Sequence, residues 1–156
     1  MYTEYEIVDA GVQVKRRMER YCEKLMEQTG LRKIELDLLF FLAHSSNQNT
    51  AHDLAVRQHI SKAHISKSIE HLKLGEYIVL VPDAQDHRCI RIELTAQSES
   101  LIKEYELLRH QFLQELFDGV TEDEINALKC VLYKILQNVR IEDSWRQEEN
   151  EETINN

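Results

Sequence analysis

The chain has 156 residues, of which 42 % are hydrophobic and 30 % charged, with a formal net charge of -9. That length suits one domain with a real core and is too short for two ordinary ones. The apolar share excludes a disordered chain, and only Gly 4 and Pro 1 favour long helices with few breaks. The charge distribution matters more than its sum. From Glu142 onward six acids, Glu142, Asp143, Glu148, Glu149, Glu151 and Glu152, face Arg146 alone. Residues 142–156 are therefore expected as an acidic, disordered end, and more than half of the negative balance lies there. The start is acidic, without the basic-then-apolar order of a signal peptide. No apolar run is long enough to span a bilayer. The expectation is a cytoplasmic protein with no membrane partner. Cys22, Cys89 and Cys130 are odd in number and far apart, which fits reduced thiols better than a disulfide framework.

In chain order, Ile7, Gly11, Val14, Met18, Tyr21 and Leu25 form one stripe at helical spacing. They predict a single helix over about 4–28, closed at Thr29-Gly30 by a glycine suited to the left-handed position after a helix. A second helix, 33–44, is apolar around most of its circumference and should lie deep in the core. Thr50 can cap a short helix, 51–57, and Ser61 can cap another, 62–74, whose inward side is Ile65, Ile69 and Leu72. Tyr77–Val81 reads as a strand stopped by Pro82, and Ile90, Ile92 and Leu94 alternate with Arg91 and Glu93 as a strand with one buried face. Together they make a hairpin around a polar turn. Thr95 opens a long helix, 95–117. Thr121-Glu-Asp-Glu124 is a capping box for the last one, 122–141.

Two helices joined by a tight turn and followed by a hairpin make a winged helix-turn-helix. Opposite Ile65, Ile69 and Leu72, the helix after Ser61 carries Lys62, His64, Lys67 and His71, with Ala63 and Ser68 between them. One helix fits the major groove of B-DNA, and its N-terminal residues reach base edges. Lys can donate to guanine, Ser and His can donate or accept, and a helix N-terminus favours phosphate. The other reading of these side chains is a solvated helix face.

Leu54-Ala55 through Ile60-Ser61, Ile65-Ser66-Lys67, Leu72, and Asp86-His-Arg88 followed by Ile90-Arg-Ile-Glu-Leu-Thr95 resemble the MarR family of regulators over about 4–139. The resemblance implies a mainly helical fold with a small β-hairpin wing, a single domain over 1–141 with its winged helix over 33–94, and no enzymatic activity. It implies that Arg88 enters the minor groove, oriented by Asp86, with Gln85 standing where many members have a second Arg. Arg is favoured in a narrow minor groove by its negative potential. It also implies that the helices over 4–28, 95–117 and 122–141 intertwine with a second copy in a homodimer, since one small lobe cannot cover three apolar stripes. The partners expected are double-stranded DNA, a second copy and a small-molecule effector held between the dimer helices and the DNA-binding lobe, where Tyr21, His44, Tyr105 and His110 are the polar candidates. The sequence departs from the family in two turns. The usual glycine after the reading helix falls at Glu76, one place after Gly75, and Gln58-His59 replaces a common Leu-Gly.

No Cys/His pair has zinc-ligand spacing, so no metal or other cofactor is expected. There is also no phosphate-cradling loop, nucleophile elbow or clustered acid pair of an enzyme. The alternatives are a winged helix used only for protein contact, and a metal- or thiol-sensing form of the same regulator.

Overall fold

The computed structural model describes residues 3–154, with side chains through Val139. It divides into two compact units, Met1–Glu115 and Leu116–Asn156. The first contains α1 (Glu4–Tyr21), α2 (Glu23–Thr29), α3 (Lys33–His44), α4 (Ala51–Gln58), α5 (Lys62–Leu74), β1 (Ile78–Pro82), β2 (Ile90–Leu94) and nearly all of α6 (Ala96–Leu116). The second consists mainly of α7 (Glu122–Ile154).

Local capping chemistry sets most of these boundaries. Thr50 Oγ1 accepts from the Asp53 N–H at 3.2 Å while Asp53 accepts from the Thr50 N–H at 3.0 Å, so two otherwise unpaired donors are satisfied at the start of α4. Ser61 accepts from the His64 N–H at the start of α5. Thr121 and Glu124 form the same reciprocal box at the start of α7. Gly30 ends α2 with φ 70°, the left-handed conformation expected of it.

The expected single helix over 4–28 is broken at Cys22. There the backbone tightens into a turn, the Cys22 N–H donating to Met18 O and Glu19 O. Cys22 and Leu25 enter the core, whereas no residue of α1 is buried. The break aims α2 inward and leaves α1 outside. α3 is the centre of the core: Leu36, Leu38, Leu39 and Leu42 are buried with Leu54, Ile65, Leu72, Ile78, Ile92, Leu101, Ile102 and Tyr105. β1 and β2 pair antiparallel, Ile78 opposite Leu94 and Pro82 opposite Ile90, forming the wing hairpin. The Ile92 N–H donates to Asn49 O at 2.8 Å, tying β2 to the loop before α4.

The two departures from the family's turns are resolved in the backbone. His59 at the end of α4 has φ 53° and Glu76 after α5 has φ 61°, so both take the left-handed conformation that costs an L-residue about 1–2 kcal/mol. Gly75 is needed for space: a Cβ there would lie 2.9 Å from Tyr77 ring carbons. Glu76→Gly should therefore raise stability by about 0.5–1 kcal/mol, or roughly 1–3 °C in Tm, the added freedom of the unfolded chain offsetting part of the gain. Thermal unfolding monitored by circular dichroism checks this; a lower Tm would contradict the strain.

In the second unit Leu128, Val131, Leu132, Ile135, Leu136 and Val139 of α7 are exposed. The acidic stretch 142–156 lies outside the residues described with side chains. Among the described residues, no helix is long and apolar enough to cross a membrane.

Candidate nucleic-acid interface

α5 is held from inside by Ile65, Ile69 and Leu72, leaving Ser61, Lys62, Ala63, His64, Ser66 and Lys67 exposed. Ser68 does not belong to that outer face. It is 1 % exposed, and its hydroxyl accepts from Arg32 Nη2 at 3.1 Å. The correction follows from spacing: position 68 is three after Ile65 and four before Leu72, hence on the inward stripe. His71 is exposed at one edge, yet its Nδ1 lies 3.0 Å from Glu35 Oε2, so its ring is already engaged within the protein.

The wing turn is built around a residue the sequence reading passed over. Asp83 Oδ1 accepts from the N–H groups of Gln85 and Asp86 at 2.8 and 3.0 Å, and Oδ2 accepts from Arg91 Nε at 2.7 Å. Arg91 Nη1 also donates to Asn47 O and Asn49 Oδ1, which anchors the wing to the loop before α4. Asp86 Oδ1 accepts from the backbone N–H of Arg88 at 3.0 Å. The Asp86 carboxylate thus holds the turn, and the exposed Arg88 side chain is left to reach outward beside Gln85 and His87. An Asp two residues before a tight turn and an Arg eight residues on were the available signals for Asp83 and Arg91.

The backbone donors, led by Asp86, and the Arg91 guanidinium hold the Asp83 carboxyl at about 2, below its ordinary 3.8. A carboxyl lowered on folding stabilises above its unfolded value, and that contribution disappears as pH falls through the folded one. The wing of the native protein should loosen between pH 3.8 and about 2. Asp83→Asn should weaken it already at neutral pH and remove that acid transition. Amide exchange of residues 84–91 against pH is the check; an acid transition unchanged in the variant would acquit Asp83.

The four effector candidates have the following surroundings. His44 and Tyr105 both pack against Phe40, with ring centroids 4.3 and 6.1 Å from it. Tyr105 is buried and donates to Asp37, which also takes Lys33 Nζ at 2.7 Å and Arg109 at 3.4 Å. Burial, then the Asp37 charge, pushes the Tyr105 hydroxyl far up. Tyr21 donates to Glu115 at 2.8 Å and meets Phe112 edge-on. His110 is exposed. Burial raises the Cys22 thiol above its ordinary value, the reverse of an activated thiolate. Among the described residues, no group of three or more His, Cys, Asp or Glu is placed to hold a metal ion.

A helix-turn-helix whose second helix is exposed along its first two turns, followed by a two-stranded wing, defines a winged helix-turn-helix protein. The MarR family model matches residues 29–88, the span from the end of α2 to the wing tip. An uncharacterised HTH-type transcriptional regulator of Bacillus subtilis, YsmB, is 26 % identical over 86 residues, covering 55 % of this chain and 59 % of the relative. The chain thus matches less than two thirds of that relative's length. Solved structures share the fold at lower identity. The S. aureus MepR–DNA complex aligns at TM-score 0.75 and 22 % identity, covering 88 % of this chain and 99 % of that one. A MarR protein from Peptoclostridium difficile aligns at 0.78 and 19 %, covering 91 % and 94 %.

Proposed function

We propose that the chain is a sequence-specific transcription regulator that binds duplex DNA as a homodimer, represses from a pseudo-palindromic operator and is released by a small-molecule effector. The observation that carries this is the outer face of α5. Lys62, His64 and Lys67 stand exposed on a helix whose opposite side is locked into the core, with Arg88 free at the tip of a braced turn. Such a helix enters the major groove while the wing Arg reaches the minor groove. The net charge of -9 is compatible with this, because binding needs a local basic surface. The structure of MepR with DNA gives a fold-level precedent.

A homodimer is supported by apolar surface that each unit leaves uncovered. Tyr5, Ile7, Val8 and Val12 of α1 are 47–85 % exposed, and the α7 stripe is likewise open. Surface of this kind at helical spacing calls for a second helical surface. A two-fold dimer requires half-sites about one DNA turn, ~34 Å, apart.

The test is an anisotropy titration of the purified protein against DNA from just upstream of its own gene, with scrambled DNA as control, at two salt concentrations, together with its mass in solution. The reading expects one dimer per site and affinity that falls steeply with salt. A monomer would overturn the homodimer, and no binding even at low salt would overturn the reading in favour of a winged helix that contacts protein only.

A further inference from the structure

A fully enclosed carboxylate lies beneath the reading helix. Glu35, in the first turn of α3, has no exposed surface. Its Oε2 accepts from the Arg32 N–H at 2.8 Å and lies 3.0 Å from His71 Nδ1, while Oε1 accepts from Arg32 Nε at 3.0 Å and from its Nη2. Arg32 Nη2 continues to Ser68 Oγ at 3.1 Å. Among the described residues no buried side-chain polar atom lacks a partner, so both carboxylate oxygens are committed. Burial alone would push the Glu35 carboxyl up, but the Arg32 and His71 hydrogen bonds outweigh it and keep the group ionised. A buried charge persists only when its surroundings are arranged around it, and such arrangements hold geometry more than they add stability.

The geometry points to Glu35 as a positioning residue for α5: through His71, and through Arg32 to Ser68, it sets the angle at which the exposed face of that helix meets DNA. Ser68 and His71 sit on successive turns of α5, so the two links fix both its rotation and its tilt. Arg32 follows Gly30 and Leu31 at the joint between α2 and α3, so the same carboxylate ties that joint to the reading helix. Glu35 itself touches no DNA. His71, one of the side chains that read from the sequence as a DNA contact, acts through Glu35 instead. This assignment rests on the DNA-binding function proposed above.

The test is a double-mutant cycle in the full-length protein. Glu35→Gln leaves one acceptor oxygen where the carboxylate has two, so it cannot serve the Arg32 guanidinium and His71 together. It should weaken binding to the operator by about tenfold, the loss of a charge-assisted hydrogen bond. Binding to scrambled DNA and the salt slope should be unchanged, because no phosphate contact is removed. His71→Ala should cost a similar factor in the native background and little in the Glu35→Gln background, whereas His71→Gln, which keeps an N–H donor, should retain most of the affinity. Equal losses from His71→Ala in both backgrounds, with a shallower salt slope, would make His71 a direct phosphate contact and overturn the assignment. If the native protein binds no DNA, the functional reading fails by itself. The link is then read from amide exchange of α5: faster exchange in both single variants and no further increase in the double supports it, and additive effects refute it. The same exchange readout covers a Glu35→Gln protein too unstable to titrate, through His71→Ala and His71→Gln alone.

Discussion

Replacing Lys67 and Arg88 together by Ala is expected to abolish operator binding at moderate salt while the protein keeps its helical content and melting temperature. Both side chains are exposed and neither enters an ion pair among the described residues, so their removal leaves no buried group unpaired. A Lys or Arg seated on a base edge is worth about 1–3 kcal/mol. Two such contacts on separate elements should add, giving roughly 2–6 kcal/mol for the pair. The single variants apportion the effect. Lys67→Ala should relax preference at one base position if it reads a base, and lower affinity uniformly with a salt slope reduced by about 1 if it neutralises phosphate. Arg88→Ala should act most strongly where the minor groove is narrow. Binding within twofold of the native protein in the double variant would remove this face from DNA recognition.

Leu72→Ala is expected to have the largest effect on stability. Leu72 has no exposed surface and packs in the cluster that joins α3, α5 and the wing, while its carbonyl accepts from the Tyr77 N–H at the turn into β1. Truncation there leaves a cavity under the reading helix and should cost about 2–5 kcal/mol. Against a total of about 5–15 kcal/mol this should lower Tm by roughly 5–15 °C, and DNA binding should fall at temperatures where the native protein still binds. Urea unfolding gives the number. A loss below about 1 kcal/mol would mean that the inner face of α5 closes over the gap.

Most element boundaries were legible because the interactions that make them are local. The cap residues Thr50, Ser61 and Thr121 lie three positions from the groups they bind, and Gly30 acts through its own φ. The strand over 90–94 and the inward stripe of α5 were likewise visible as periodicity, but of the strand's expected buried face only Ile92 is buried and Ile90 is exposed. Ser68 was misread although its spacing was available: its hydroxyl suggested an outer position, and the helical period put it inside. The break at Cys22 had no signal of its own, because the stripe runs through it unbroken; burial of Cys22 and Leu25, not propensity, ends α1 there.

What the sequence by itself determined is the order of elements, apart from the break at Cys22, and the exposed cations Lys62, Lys67 and Arg88, since each follows from short-range patterns along the chain. What only the tertiary structure decided is which polar groups are used up inside. Arg32 meets Ser68 across 36 residues and Arg91 meets Asn49 across 42. Glu35 becomes a buried charge only once α3 and α5 are packed together. Whether a charged side chain faces a ligand or another part of the protein depends on the partner that folding brings to it, and no local pattern specifies that partner.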